Sequence, residues 1–291
     1  MDGNFLDRVK ALPRLGLGIS TEYDARRDGL DPNAFRRDRP DLLQFLEIGA
    51  DLERGLDDDA REWIASGAPT TYHFLDVNLE EGDDIEEAWI ARMREVLAEV
   101  RPAWVCGDAG LWYVGARDRG HGTLMPPIFS PESAAEMARG VRRLREGLDH
   151  EVLPENPPAH VYLGEMHLLD YFGRVLEDAD TGMLLDVAHL AVYQRVMGHG
   201  ALDGLADFPL ERVVEVHVAG GSTFEHGGRV FVDDDHGVEV LRETWEIFEL
   251  VLERASNLKA VVLECEHNAR EAVLPLFERV AADLARRESR A

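Results

Sequence analysis

Short apolar runs recur along the whole chain, at 15–19, 42–48, 70–75, 104–107, 151–155, 183–187, 213–218 and 260–264. Several are apolar at consecutive rather than alternate positions, the pattern of strands covered on both faces. Between them apolar residues fall three and four apart, which predicts helices over 85–100, 131–148, 164–176, 238–255 and 270–287, with shorter ones at 32–36 and 58–65. Ser130 before Pro131 reads as an N-cap with proline in the first turn, and Gly147 suits the end of that helix.

Strand and helix alternating eight times predict an α/β fold, a single (β/α)8 TIM barrel over 1–291, with a doubly wound open sheet as the main rival. No linker or repeat divides the chain. Only the first few residues and the polar tail 286–291 are expected to be loose.

Charge changes the picture of partners. Acidic residues outnumber basic ones 57 to 31, so the net charge is -26 and a nucleic-acid backbone would be repelled. The chain lacks an apolar run of about 18 residues, so no membrane association is expected. Its start, Met1-Asp2-Gly3-Asn4, has no basic or apolar targeting character, and a cytoplasmic location is expected. Cys106 and Cys265 are too few for a disulfide framework and read as buried small hydrophobes.

In such a barrel the reacting groups stand where strands end. Those positions carry His73, Asp108, Glu155, Asp186 with His189, His217, Asp234 with His236, and Glu264. Each offers a carboxylate oxygen or imidazole nitrogen that suits a hard or borderline metal. Acids are seldom buried unpaired, yet Asp186 in Leu-Leu-Asp-Val and His217 in Val-Glu-Val-His-Val have strongly apolar neighbours. A divalent ion offsets both their desolvation and their mutual repulsion.

Asp186 and His189 lie one helical turn apart and can face one cavity, whereas Asp234 and His236 share a face of an extended loop. The run 233–235 also reads as a solvated acidic loop. Glu155-Asn156-Pro157-Pro158 closes a strand on a carboxylate and forces an extended exit. Glu47 reads as a supporting hydrogen-bonder at the mouth, and Glu266 and His267 as groups that orient Glu264. His121, His160, His167, His199 and His226 read as surface or capping residues, Arg139, Arg142, Arg143 and Arg145 as a solvated helix face, and 115–127 as a long loop at the substrate entrance.

With Glu155-Asn156-Pro157, Gly182-Met183-Leu184-Leu185-Asp186-Val187, Val216-His217-Val218-Ala219-Gly220, Asp234-Asp235-His236-Gly237-Val238 and Trp245, the chain resembles a known family. This is the multinuclear non-heme iron-dependent oxidative enzymes, which include the methanobactin-maturing oxidase. The likeness runs from Gly16-Leu17-Gly18-Ile19 through Phe45-Leu46-Glu47 to Val262-Leu263-Glu264. It implies a xylose-isomerase-like barrel, two or three iron ions, oxygen as oxidant, a ribosomally made precursor peptide as substrate, and a separate peptide-recognition protein as partner. By the same resemblance His73, Glu155, Asp186, His217, Asp234, His236 and Glu264 are iron ligands.

Two positions depart from the family's pattern. Gly107-Asp108-Ala109 stands where Glu-His-Leu is usual, so Asp108 replaces a histidine ligand, and His189 replaces an asparagine. Glu155, as a bridging carboxylate, and Asp108 are the candidate catalytic residues, with zinc or manganese as alternatives to iron. His189 also makes the ligand order similar to that of apurinic endonucleases, whose Asp-x-x-His and Asp-x-His pairs hold three zinc ions. A metal-dependent hydrolase is therefore the alternative. A sugar isomerase shares the fold, but Lys10 and Lys259 are the only lysines, and neither lies near the site.

Overall fold

The computed structural model of the protein describes residues 3–21, 29–50, 52–82, 85–113 and 124–290. Eight parallel strands form the expected closed barrel: β1 (Gly16–Thr21), β2 (Phe45–Ala50), β3 (Thr70–Phe74), β4 (Val105–Asp108), β6 (Val152–Glu155), β8 (Met183–Asp186), β9 (Val213–His226) and β11 (Ala260–Glu264). They pair in chain order, and β9 closes the ring between β8 and β11. Two short strands, β5 (Ile128–Phe129) and β7 (Leu163–Gly164), pair with each other outside it. The helices that follow the barrel strands are α2 (Pro32–Asp38), α3 (Asp58–Ala65), α4 (Glu87–Val100), α5 (Pro131–Leu148), α6 (Leu168–Ala179), α7 (Val187–Met197), α8 (Arg242–Arg254) and α9 (Arg270–Glu288).

Three local outcomes differ from the sequence reading. Helix α7 escapes the spacing rule because Val187 through Gln194 are all buried, leaving no polar stripe to mark a period. Strand β9 runs past position 218 to His226, turns through Gly227 and Gly228, both at positive φ, and returns as β10 (Arg229–Gly237). The 234–236 segment is thus a strand with a bulge rather than a loop; its exposed polar neighbours mask the signal. The tail is also more ordered than expected, since α9 continues to Glu288 and Arg287 bonds the Ala255 carbonyl.

The start of the chain is likewise built in. Asn4 caps α1 (Phe5–Arg8), and Phe5 and Val9 are fully buried against Trp104, Phe45 and Leu184 at the lower end of the barrel. Arg8 fastens this plug through Glu151 at 2.6 Å and Asp180 at 2.9 Å. A side chain at Gly182 would meet the Phe5 ring at 2.5 Å, so the ring and the bare backbone fit each other.

Above the plug, strand alternation builds two layers, because residues i and i+2 share a face. Cys106, Leu153, Leu184 and Val262 belong to the apolar floor. Two residues further along the same strands stand Asp108, Glu155, Asp186 and Glu264. The remaining apolar side chains fill the space between barrel and helices.

Phe5→Ala empties the plug, and a buried aromatic lost in this way costs about 3 kcal/mol or more. Urea unfolding is expected to show that loss as a lower midpoint at unchanged slope. An unchanged midpoint would mean that α1 contributes nothing to the fold.

Candidate metal centre

Glu155, at the end of β6, is the hub of the barrel mouth. Its Oε2 lies 2.8 Å from His73 Nε2 on β3, and its Oε1 lies 3.4 Å from His217 Nδ1 on β9. Asp108 is its register partner on β4 and stands 3.9 Å from His73. His217 Nδ1 also lies 3.2 Å from Glu264 Oε1 on β11, and Asp186 on β8 is the register partner of His217.

The start of α7 and the β10 bulge complete the set. Asp186 caps α7 by accepting the His189 backbone N–H on Oδ1 at 2.6 Å, which leaves Oδ2 for the site. The His189 ring sits 2.8 Å from the Asn156 carbonyl through Nδ1 and 2.8 Å from Asp234 Oδ2 through Nε2. His236 takes φ of 50° at the bulge, and its Nε2 lies 3.7 Å from Asp234 and 3.6 Å from Glu264.

All nine side chains singled out in the sequence therefore converge. His73, Asp108, Glu155, His189, Asp234, His236 and Glu264 line a cavity of about 250 Å³, and Asp186 and His217 are fully buried behind it. Within it His73, Asp108 and Glu155 form one tight trio, Glu155, Asp186 and His217 a second, and Asp186, His189 and Glu264 a third, each with donor atoms within 4.8 Å of one another. Asp234 and His236 stand at the periphery, outside these trios.

The donor set fits a metal for a specific reason. Asp108 Oδ1, Glu155 Oε1, Asp186 Oδ2, Asp234 Oδ1, Glu264 Oε2 and both His217 nitrogens are buried without a hydrogen-bond partner among the described residues. Buried polar atoms are normally satisfied. Here seven such atoms gather in one place, and a cation would complete them.

Supporting groups surround the set. Glu47 Oε1 lies 3.1 Å from His217 Nε2 and makes a further trio with His217 and Glu264, while its other oxygen accepts from the Cys106 thiol at 3.1 Å. Glu47, Cys106 and Glu215 form a deeper buried trio, and Glu215 accepts the Trp104 indole N–H at 2.6 Å. The sequence pattern assigns no role to Glu215 or to Asn156, whose amide bonds both the N–H and the carbonyl of Asp186. Glu266 orients His236, at 2.7 Å from Nδ1, rather than Glu264.

Among the histidines set aside, His160 and His167 hold backbone groups at the Val232 carbonyl and the α6 N-terminus, His199 packs on His167, and His226 is exposed. His121 and most of the 115–127 loop lie outside the described residues. Both cysteines are buried, and burial pushes their thiols well above the ordinary range.

Fold and site together define a xylose-isomerase-like TIM barrel with an acid and histidine cluster at its mouth that can bind metal. The family model of the RiPP precursor modification enzymes MbnB/TglH/ChrH matches residues 26–289, and the chain belongs to that family. It is 26% identical over 208 residues to a UPF0276 protein of Anaeromyxobacter sp. (strain Fw109-5), covering 71% of each chain. Among solved structures it is similar to a xylose isomerase-like TIM barrel protein from Mycobacterium smegmatis in complex with magnesium, with a TM-score of 0.56, 13% identity and coverage of 96% and 98%. It is also similar to the TTHB071 protein from Thermus thermophilus soaked with ZnCl2, with a TM-score of 0.55, 20% identity and coverage of 92% and 98%. These likenesses concern the fold.

Charge sharing leaves a pH signature in the metal-free protein. Burial lowers the His73 imidazole, but the Glu155 hydrogen bond and the nearby carboxylates outweigh it and hold the group up at about 9. His189, His217 and His236 are raised in the same way. Burial and then the Glu155 charge push Asp108 up to about 8, whereas burial of Glu155 and Glu264 is outweighed by imidazolium neighbours that hold both low.

A raised imidazole stabilises fully below its ordinary value of 6.5 and loses that contribution as pH rises through the folded value. A raised carboxyl such as Asp108 also costs stability, as pH climbs from the ordinary carboxylate range to about 8. The lowered Glu155 and Glu264 contribute above the ordinary carboxylate range and lose that contribution only in stronger acid. The melting temperature of chelator-treated protein is therefore expected to fall between about pH 6 and about pH 9. A flat or rising profile across that window would contradict the charge sharing.

Proposed function

We propose that the protein is an iron-dependent oxidoreductase that uses molecular oxygen to modify a side chain or terminus of a ribosomally made precursor peptide. Membership of a family of precursor modification enzymes supports the peptide. The observation that carries the metal is the convergence of unpartnered buried donor atoms on the barrel mouth. His73, Asp108, Glu155, Asp186, His189, His217, Asp234, His236 and Glu264 would hold two or three ions. Glu155 would hold metal through both oxygens, which face different imidazoles. Iron held there supplies one-electron chemistry with oxygen, which zinc cannot.

The chain's own groups fix the ligands. The Asn156 carbonyl accepts from His189 Nδ1 and turns Nε2 toward Asp234 and the site, and Glu266 holds His236 by its Nδ1 in the same manner. Glu47 faces Nε2 of His217 and so turns Nδ1 toward Glu155 and Glu264. Asp108 lines the cavity with an unpartnered Oδ1 and stands farther from His73 than Glu155 does, which makes it the ligand best placed to act beside the substrate. The same reading carries a separate peptide-recognition protein as partner and a cytoplasmic setting.

Protein purified without chelator is expected to contain on the order of two iron ions per chain, and chelation to abolish activity. Asp186→Ala, His217→Ala and Glu264→Ala are expected to lose the metal while the circular dichroism of the barrel is kept, because interior layers rather than strand ends carry stability. Incubated with air and peptides encoded beside its gene, the iron-loaded enzyme should change the mass of one of them only when oxygen is present. Zinc occupancy with oxygen-independent hydrolysis would transfer the site to the hydrolase alternative. Glu47→Gln should weaken metal affinity by about 10- to 100-fold, the usual effect of losing an orienting partner. Unchanged affinity would remove Glu47 from that role.

A further inference from the structure

The cavity at the mouth is not lined by acids and imidazoles alone, since Leu75, Trp112, Leu124 and Pro158 also line it. Among these four side chains one carries a polar atom. The Trp112 indole N–H is buried and has no hydrogen-bond partner among the described residues.

The other well-buried tryptophans show how unusual this is. Trp63 donates to the Pro69 carbonyl at 3.0 Å, Trp89 to Asp76 at 3.0 Å and Trp104 to Glu215 at 2.6 Å. Trp112, 8% exposed, lines the cavity and has no such acceptor among the described residues. Buried indole N–H groups normally find an acceptor, so one left open in a cavity wall marks a place where a ligand supplies it.

The position is rigid. The Trp112 backbone N–H donates to Asn78 Oδ1 at 2.7 Å, while the Asn78 amide donates to the Tyr113 carbonyl at 3.0 Å and to Glu81 at 2.8 Å. On its other side Leu111 and Met125 exchange two backbone hydrogen bonds, at 2.8 and 3.0 Å. Asn78 itself is 1% exposed. The backbone that carries the indole is therefore held before any ligand arrives, which lowers the ordering cost on binding.

We propose that Trp112 and its apolar neighbours form a substrate subsite in which the indole N–H donates to a neutral amide carbonyl of the bound peptide. This deepens the peptide reading above and rests on it. A neutral acceptor is favoured over a carboxylate because five acids already line the cavity, against three imidazoles. The space, about 250 Å³, is smaller than a typical drug-sized pocket of roughly 300–1,000 Å³, so it admits one extended residue with its flanking carbonyl and no folded segment.

The test uses the full chain with 15N-labelled tryptophan, loaded with zinc so that paramagnetic iron does not broaden the spectrum. The indole signal absent from Trp112→Phe identifies Trp112. Titration with N-acetylleucine methylamide is expected to move that signal alone, downfield and saturably, while isovalerate moves it far less. A signal unmoved by the amide overturns the subsite, and one moved equally by both probes overturns the choice of a neutral acceptor.

A second measurement uses any peptide that the wild-type iron enzyme modifies. Replacing Trp112 by Phe, or by benzothienylalanine, which keeps the shape without the N–H, should raise KM about tenfold with kcat and metal content little changed. An unchanged KM in both variants also overturns the proposal. Failure of the peptide reading appears separately, as the absence of any mass change with wild-type enzyme.

Discussion

The constraint on which the rest of this structure depends is electrostatic: acids and imidazoles from six barrel strands, the start of α7 and the β9–β10 hairpin are buried around one small cavity at the barrel mouth. Carboxylates cannot be buried together unless positive charge or protons accompany them. Every nearby feature answers to that requirement. Imidazoles alternate with the acids, raised and lowered proton affinities interlock, and the donor atoms that remain open face one another. The proposed metal is the economical completion of such a set.

Position comes from the barrel. Strand ends hold their first side chains to the accuracy of the backbone ladder, and the apolar layer two residues below gives them a dry floor. The hairpin contributes differently. Asp234 and His236 reach the site on an arm whose far end is exposed and carries the stacked Phe224 and Phe231, with His160 packed against both rings. Two peripheral groups of the site are thus borne by an element that also faces solvent.

The two departures from the family's usual residues make local sense. His189 is placed by the same turn that lets Asp186 cap α7, so one carboxylate closes the helix with one oxygen and serves the site with the other. Asp108 is shorter than the histidine that the resemblance leads one to expect there. It stands 3.9 Å from His73 where Glu155 stands 2.8 Å away, which leaves it the loosest member of its trio.

The sequence by itself determined the barrel, because eight apolar runs buried on both faces and alternating with helices have few other ways to close. It also determined which side chains would meet at the mouth, since in a parallel barrel every strand end points the same way. It could not show α7, which is buried all round and carries no period, nor the hairpin, whose exposed polar residues look like a loop. It could not show that Glu266 serves His236 rather than its neighbour Glu264, that Asn156 holds Asp186, or that Trp112 keeps an open donor in the cavity wall. Those are relations between residues 30 or more positions apart, or between one atom and an empty space. Local pattern encodes periodicity and strand-end position, whereas the pairing of individual polar atoms is decided only when the closed barrel brings distant segments within hydrogen-bond reach.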